Sequence, residues 1–280
     1  MFMAVGMFLF SAVDTGAKFL TDSLHPLQIV WTRQLGLLVG ALVLLLRYGP
    51  LLMKTSHPRL QVLRGMVAAL SASLFIFAVT YVPLADAVAI SFVAPFIVTV
   101  LGALILREPV GIRRWIAVTL GFAGALVVIR PGLGVMHHAA GLVVLAAFFF
   151  AIRQIISRAL SDTDRTATTV VYTALVGSAI LTVPLPFVWQ TPDGGQIVIL
   201  AGIAVLAALA EICVIKALEL AMAVVVAPVQ YSLILWGTFY GFVVFGQLPD
   251  GWTWAGTALI VATGVYTLRR EYLAQRARTV

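Results

Sequence analysis

The sequence is short of charge, because only 10% of its 280 residues are Asp, Glu, Lys or Arg while 62% are hydrophobic. A soluble domain carries about 25% charged residues to cover its surface, so this composition excludes a water-exposed exterior and indicates a membrane protein. There is one cysteine, Cys213, which excludes a disulfide framework. There is also no Gly-xxxx-Gly-Lys-Ser/Thr loop, so ATP cannot drive an activity within this chain.

Acidic residues are scarcer than basic ones, with 11 Asp and Glu against 18 Lys and Arg. In a soluble protein this excess would point to nucleic acid. In a hydrophobic chain it is typical of basic loops retained on the cytoplasmic side of a bilayer. We therefore expect the lipid bilayer as a partner and no nucleic acid. We also expect no cofactor and no metal.

Ten apolar stretches, separated by proline, glycine and charged residues, are each long enough for a helix to cross about 30 Å of hydrocarbon. They lie near residues 2–21, 27–46, 61–80, 84–106, 111–130, 138–160, 167–189, 196–218, 222–246 and 251–269. The pattern predicts an all-α integral membrane protein with ten transmembrane helices. Gly36 and Gly40 in the second stretch are spaced for close contact with another helix.

Every second connection between these stretches is basic, which sets the expected orientation because Lys and Arg stay in the cytoplasm. The basic connections hold Arg47, Lys54, Arg59 and Arg64; Arg107, Arg113 and Arg114; Arg158 and Arg165; and Arg269, Arg270, Arg276 and Arg278. Both termini are therefore predicted to be cytoplasmic.

The two halves of the chain resemble each other, with five predicted helices in residues 1–132 and five in residues 133–280, which end in a cytoplasmic tail. Val30-Trp31-Thr32 is echoed by Val171-Tyr172-Thr173, and Val93-Ala94-Pro95 by Val226-Ala227-Pro228. An odd number of spans per half means that the second half enters the membrane inverted. Inverted repeats are typical of secondary transporters, whose substrate site lies near the midplane between the halves.

Several motifs carry a resemblance to a known family. They are Pro83-Leu84-Ala85-Asp86-Ala87, Arg107-Glu108-Pro109-Val110-Gly111, Gly121-Phe122-Ala123-Gly124, Arg130-Pro131-Gly132, Ala227-Pro228-Val229-Gln230-Tyr231 and Phe245-Gly246-Gln247-Leu248-Pro249-Asp250. Over its whole length the chain resembles bacterial EamA-type members of the drug/metabolite transporter superfamily. The resemblance implies a ten-helix inverted-repeat transporter of small polar metabolites in the inner membrane, often one that exports amino acids.

Ionisable residues inside the predicted helices are candidates for the transport site, because a charge at the centre of a helix costs roughly 2.5–3.5 kcal/mol on insertion scales. Asp14 and Lys18 are one turn apart, so they either neutralise each other or form a pair with which substrate or a proton competes. Arg33 and Glu211 lie deep in their helices. Arg33 suits a carboxylate or phosphate, unless it extends to the outer surface. Arg153 is ambiguous, because it also lies near the cytoplasmic end of its helix.

Polar and aromatic residues near two mid-helix prolines form a second group of candidates. Pro95 and Pro228 interrupt their helices either as packing kinks or as gating hinges. The candidate cavity lining beside them is Trp31, Ser91, Pro95, Gln230, Tyr231 and Trp236.

These candidates predict a secondary transporter, a monomer or homodimer, for a zwitterionic or amino-acid-like small molecule. The family resemblance implies the export direction. An uptake carrier or exchanger for a larger metabolite, such as a vitamin or nucleoside derivative, is the alternative. An intramembrane enzyme would need a nucleophile with its base, or a metal cluster, and the loop histidines have no convergent partners. A channel would show a filter segment, and none is visible.

Overall fold

The computed structural model describes residues 1–107, 111–129, 137–160, 163–220 and 229–279, and in these ranges its regular secondary structure is entirely helical. The Arg130-Pro131-Gly132 motif and Pro228 lie outside the described residues. A 3₁₀ turn at Pro50–Met53 joins the second and third helices. The α-helices are α1 Phe2–Leu20, α2 Pro26–Tyr48, α3 Pro58–Val79, α4 Leu84–Ser91, α5 Ala94–Ile105, α6 Ile112–Ile129, α7 Ala140–Leu160, α8 Thr166–Thr182, α9 Leu185–Val188, α10 Gly194–Leu220, α11 Ser232–Phe245 and α12 Gly251–Thr279.

Six segments among the described residues are long and apolar enough to cross a membrane, namely Phe2–Leu20, Pro26–Tyr48, Pro58–Val79, Leu84–Ile105, Ala140–Leu160 and Gly194–Val214. Many large apolar side chains face outwards, such as Val198, Val205, Leu209 and Ile212 along α10. An apolar exterior of this kind is stable only in lipid. The prediction of an all-α membrane protein is confirmed, while the count of ten spans stays a prediction.

Helix starts follow local rules in the sequence. Pro26 and Pro58 occupy the first turns of α2 and α3, where no backbone N–H is needed. Before α10, the backbone N–H of Gln196 donates to the carboxylate of Asp193, and the Asp193 N–H donates to the Gln196 side chain. This reciprocal capping box satisfies two backbone donors and fixes where α10 begins.

The segment predicted to be a single fourth span is broken between α4 and α5. Pro95 has no N–H to donate. In a continuous helix its ring would clash with the carbonyl of Ser91, four residues before it. The chain passes the break through shorter-range bonds, from Phe92 N to Ala89 O and from Val93 N to Ile90 O. Pro95 then sits in the first turn of α5.

The helices pack in matched pairs drawn from the two halves of the chain. Helix α1 packs along α10 and α11, and α7 packs along α3 and α5. Helix α2 packs along α8 and α10, and in the equivalent way α8 packs along α2 and α3. Helix α6 packs against α12. Charged residues on α1, α2, α3, α7 and α10 are thereby turned towards one another.

Glycine allows the closest of these approaches. A Cβ atom on Gly36 would overlap the backbone carbonyl of Ala204 on α10, while Gly40 faces open space. Between α6 and α12, a Cβ on Gly256 would come within 2.6 Å of the Gly124 carbonyl oxygen. The backbones are therefore in direct contact at these two crossings.

Candidate functional site

A buried ion pair joins α1 to α2. The guanidinium of Arg33 lies 3.3 Å from the carboxylate of Asp14 and 5.6 Å from the centre of the Phe10 ring. Asp14 is six residues from the end of α1 and Arg33 seven residues from the start of α2, so the two side chains reach the same depth. Each charge compensates the other in a region where water is scarce.

Lys18 does not pair with Asp14, although both predicted interpretations of these two residues assume that pair. Its ammonium donates a hydrogen bond of 2.7 Å to the carbonyl of Val82, between α3 and α4, and lies 5.4 Å from the Phe245 ring centre. Lys18 is one turn nearer the end of α1 than Asp14, which brings it within reach of that loop. Arg33 is therefore the ion-pair partner that the sequence pattern did not identify.

Arg64 forms the densest hydrogen-bonding centre in the interior. Its Nε donates to the Ser157 hydroxyl of α7 at 2.6 Å, and its Nη1 donates to the Thr173 hydroxyl and the Thr169 carbonyl of α8. From the sequence, Arg64 is predicted to be one of the residues of a basic loop. Its position six residues beyond Pro58 was the signal that it enters the membrane, by the same depth argument that selected Arg33.

Arg153 and Glu211 complete the arrangement. Glu211 is close enough to attract both Arg64 and Arg153, and Arg33 is close enough to repel Arg153. The Arg153 guanidinium lies 4.6 Å from the Phe150 ring centre, and its Nε is buried without a hydrogen-bond partner in the described structure. We call Asp14, Arg33, Arg64, Arg153 and Glu211 the interior charged cluster.

The other predicted lining residues have different surroundings. The Trp31 indole donates to the Thr182 hydroxyl at 2.9 Å and meets the Trp189 ring edge-on, which ties α2 to the end of α8. The Ser91 hydroxyl donates to the Val88 carbonyl within α4. Pro95 is exposed in the first turn of α5. These three residues therefore connect helices or shape the α4–α5 break.

The candidates near the start of α11 make their contacts with α1, with the α4–α5 break and with α12. Tyr231 is buried, stacks on Phe92 at the α4–α5 break with ring centres 4.8 Å apart, and packs against Gly264. Trp236 meets Phe8 of α1 edge-on at 5.0 Å, and Gln230 is exposed. The structure thus brings together Asp14, Arg33 and Glu211 from the predicted site and adds Arg64 and Arg153.

Hydrogen bonds between the two halves flank the cluster at both ends. On the face that carries the basic loops, Asp164 accepts from the Thr55 hydroxyl and, at 2.6 Å, from the Gln61 amide. We call Thr55, Gln61 and Asp164 the basic-face latch. Partial burial by itself raises the pKa of Asp164. The hydrogen bonds from Thr55 and Gln61, a further bond from the Ser56 backbone and the nearby His57 lower it by more, so the pKa of Asp164 is below its usual value.

The opposite end is held by neutral groups. The fully buried Gln28 donates to the Gln190 carbonyl at 2.8 Å and accepts from the Gln190 N–H at 3.0 Å. Gln196 donates to the Ser23 hydroxyl at 3.0 Å. We call Ser23, Gln28, Gln190 and Gln196 the opposite-face latch. The cluster therefore lies between two sets of bonds that each join the first half of the chain to the second.

This arrangement suits reversible binding of a polar solute. Fixed charges and aromatic rings can hold a ligand inside the bundle. Within the described ranges, no three His, Cys, Asp or Glu side chains are grouped closely enough to hold a metal ion.

Several known proteins are similar to this chain. The sequence profile of the EamA-like transporter family matches residues 1–130 and 138–269. The riboflavin transporter of Vibrio cholerae is 34% identical over 75% of this chain and 71% of its own length. The S-adenosylmethionine uptake transporter of Rickettsia conorii is 25% identical over 98% of this chain and 95% of its own length.

Two further matches extend the comparison. The pseudopaline exporter of Pseudomonas aeruginosa is 26% identical over 94% of this chain and 93% of its own length. One solved crystal structure superposes with a TM-score of 0.64 over 96% of this chain and 98% of that chain, at 16% identity. At that identity the superposition speaks for the fold alone.

Proposed function

The chain belongs to the EamA-like transporter family, and from this premise we propose that it is a secondary transporter that alternates access around the interior charged cluster. One observation carries the proposal: the cluster draws Asp14, Arg33 and Arg64 from the first half of the chain and Arg153 and Glu211 from the second. A movement of one half against the other would therefore remake the site. A monomer would hold one complete site, and a homodimer two.

The proposal includes two inverted five-helix repeats, residues 1–132 and 133–280. The matched helix pairs support this division, since exchanging the two halves maps the α1–α10 pair onto the α7–α3 pair. The two segments matched by the family profile support it as well. We place the basic loops and both termini in the cytoplasm and the protein in the inner membrane of a bacterium.

The two latches support alternating access. The sequence offset that aligns Val30-Trp31-Thr32 with Val171-Tyr172-Thr173 also aligns Ser23 with Asp164. Each of these residues accepts from a glutamine at the start of a helix in the other half, Gln196 for Ser23 and Gln61 for Asp164. Equivalent bonds at opposite faces would be broken in turn as each face opens.

For the substrate, we propose a heterocyclic metabolite of the size of a vitamin or nucleoside derivative. Relatives named for riboflavin and S-adenosylmethionine favour this alternative, and none of the relatives compared is named for amino acids. The prediction of amino acid export therefore has no support from the relatives. Because they include uptake transporters and an exporter, the direction of transport is to be measured.

The test is transport by purified full-length protein in proteoliposomes, using labelled riboflavin and labelled S-adenosylmethionine in both directions. We expect saturable flux of at least one solute. Arg33→Gln and Glu211→Gln should each lower it by at least about tenfold, because each leaves an opposite charge uncompensated in the interior.

Arg59→Gln is the matched control, because Arg59 is exposed in the first turn of α3 and should leave the flux unchanged. Linear, unsaturable flux would indicate a channel. Saturable flux at the wild-type rate in both interior variants would remove the cluster from the transport site. An absence of flux for every solute in both directions would contradict the transporter proposal for this substrate class.

A further inference from the structure

The interior charged cluster has more positive than negative charge. It contains three arginines, Arg33, Arg64 and Arg153, but two acids, Asp14 and Glu211. Asp14 is occupied by Arg33 at 3.3 Å, which leaves Glu211 to be shared by the other two arginines. Arg64 and Arg153 also repel each other. An unshared positive charge in a poorly hydrated interior is expensive unless an anion compensates it.

Arg64 and Arg153 differ in how well their hydrogen bonds are satisfied. Arg64 is engaged by Ser157, Thr169 and Thr173. Arg153 has a buried Nε without a hydrogen-bond partner in the described structure, and its guanidinium lies over the Phe150 ring. Buried donors are normally satisfied, so an orphaned guanidinium donor next to a repelling arginine marks a place for an acceptor that the protein does not supply.

We propose that Arg153, supported by Arg64, binds an anionic group of the transported solute, either a carboxylate or a phosphate. The planar fork of a guanidinium matches both groups and holds them through paired, charge-assisted hydrogen bonds. Phe150 and Phe10 lie against Arg153 and Arg33, so aromatic rings border the proposed anion site. This inference rests on the proposed transport function and specifies the chemistry of its substrate.

Two pairs of compounds test the inference, because the members of each pair differ only in the anionic group. S-adenosylmethionine and its decarboxylated form differ by a carboxylate, and flavin mononucleotide and riboflavin differ by a phosphate. Binding of each compound is measured on the purified full-length protein, and its transport is measured in proteoliposomes.

We expect the wild type to bind the member with the extra carboxylate or phosphate more tightly than its counterpart by about tenfold or more in at least one pair, since a charged partner is worth more than a neutral one in a buried site. Arg153→Gln should remove this preference, because it lowers the affinity for the member with the extra carboxylate or phosphate far more than the affinity for its counterpart. Arg153→Lys, which keeps the charge but loses the fork, should retain part of the preference. The pair that shows the preference identifies the group as carboxylate or phosphate.

The inference is overturned if wild-type protein binds both members of each pair equally, an outcome that does not depend on any variant folding. It is also overturned if Arg153→Gln keeps the full preference. Saturable transport of riboflavin or decarboxylated S-adenosylmethionine without any preference for the anion would refute the inference and leave the proposed function intact. Absence of transport for all four compounds would contradict the proposed function for this substrate class.

Discussion

Asp164 shows how one carboxylate can hold two halves of a membrane protein together. It precedes α8, lies outside the membrane-spanning segments, and accepts hydrogen bonds from Thr55 and Gln61 of the first half. These bonds and the backbone bond from Ser56 favour the ionised form, so the pKa of Asp164 in the folded protein lies below its usual value. Folding is therefore coupled to the ionisation of this group.

The first prediction follows from the sign of that shift. The stability contributed by Asp164 is fully present above the unfolded pKa of about 3.9 and is lost as the pH falls through the lower folded pKa. Asp164→Asn should lower the melting temperature at pH 7 by a few degrees, and the difference from wild type should shrink below about pH 4. Thermal unfolding in detergent between pH 3 and pH 7 measures this.

Asp22→Asn is the control for this prediction, because it removes an exposed carboxylate from the loop between α1 and α2. The Asp22 variant should follow the wild-type curve across the acid range. A constant difference between Asp164→Asn and wild type at every pH would show that the carboxylate's charge is not what stabilises the fold.

At the scale of single residues, the sequence identified charges by their depth but not their partners. Arg33, Asp14 and Glu211 were selected because they lie far from the predicted helix ends, and the structure brings them into one region. Arg64 was missed because it follows a basic loop. The Asp14–Arg33 contact was not predicted either, since it depends on how α1 and α2 face each other and no spacing along one helix encodes that.

At the scale of helices, the spacing Gly36-xxx-Gly40 contains two glycines with different roles. Gly36 lies against the backbone of Ala204, so α2 and α10 touch without an intervening side chain. Gly40 has no neighbouring atom within 4 Å of where its Cβ would be. One motif therefore contains a glycine that the helix packing requires and, one turn away, a glycine whose replacement by alanine would cause no clash.

The second prediction compares alanine at these two positions. Gly36→Ala should destabilise the protein by about 1–3 kcal/mol, because the new methyl group meets a backbone carbonyl that cannot rotate away. Gly40→Ala should be neutral or stabilising by up to about 1 kcal/mol, because alanine favours the helix over glycine. Thermal unfolding in detergent reports both. Equal losses would mean that the α2–α10 approach is not as close as described.

The position of most helices could be predicted from the sequence, while their neighbours could not. The fourth apolar stretch was expected to be interrupted at Pro95, and it divides into α4 and α5 there. Which face of a helix packs inwards is a different matter. In lipid, both the packed face and the exposed face are apolar, as they are along α10, so hydrophobic periodicity does not distinguish them.

At the scale of the whole molecule, hydrogen bonds join the first half of the chain to the second half at both ends of the helix bundle. The basic-face latch joins the α2–α3 loop and α3 to the loop before α8. The opposite-face latch joins the α1–α2 loop and α2 to the segment before α10 and its first turn. Weakening one latch should therefore open one face while the other stays shut.

The third prediction tests this with a buried reporter. Cys213 is first replaced by serine, and Ser11, which is buried on α1, is replaced by cysteine. Gln61→Ala should speed labelling of this cysteine by a membrane-impermeant maleimide severalfold from the cytoplasmic side alone, because it removes a bond to Asp164. Gln196→Ala should do so from the periplasmic side alone. Labelling of inside-out and right-side-out vesicles distinguishes the sides.

The two glutamine variants serve as each other's control. If Gln61→Ala increases labelling from the periplasmic side instead, the predicted orientation of the basic loops is wrong. If neither variant changes the labelling rate from either side, the latches do not limit opening.

The two latches also differ in strength, and in a transporter that alternates access this difference would bias the resting population. Asp164 receives charge-assisted hydrogen bonds, which are roughly twice as strong as neutral ones. The bonds described at Ser23, Gln28, Gln190 and Gln196 join neutral groups. In a two-state equilibrium, a difference of about 1.4 kcal/mol between the latches would leave about ten molecules open at the opposite face for each one open at the basic face. In the absence of solute, the site of such a transporter would be accessible mainly from the opposite face. Acid would reduce that bias by protonating Asp164.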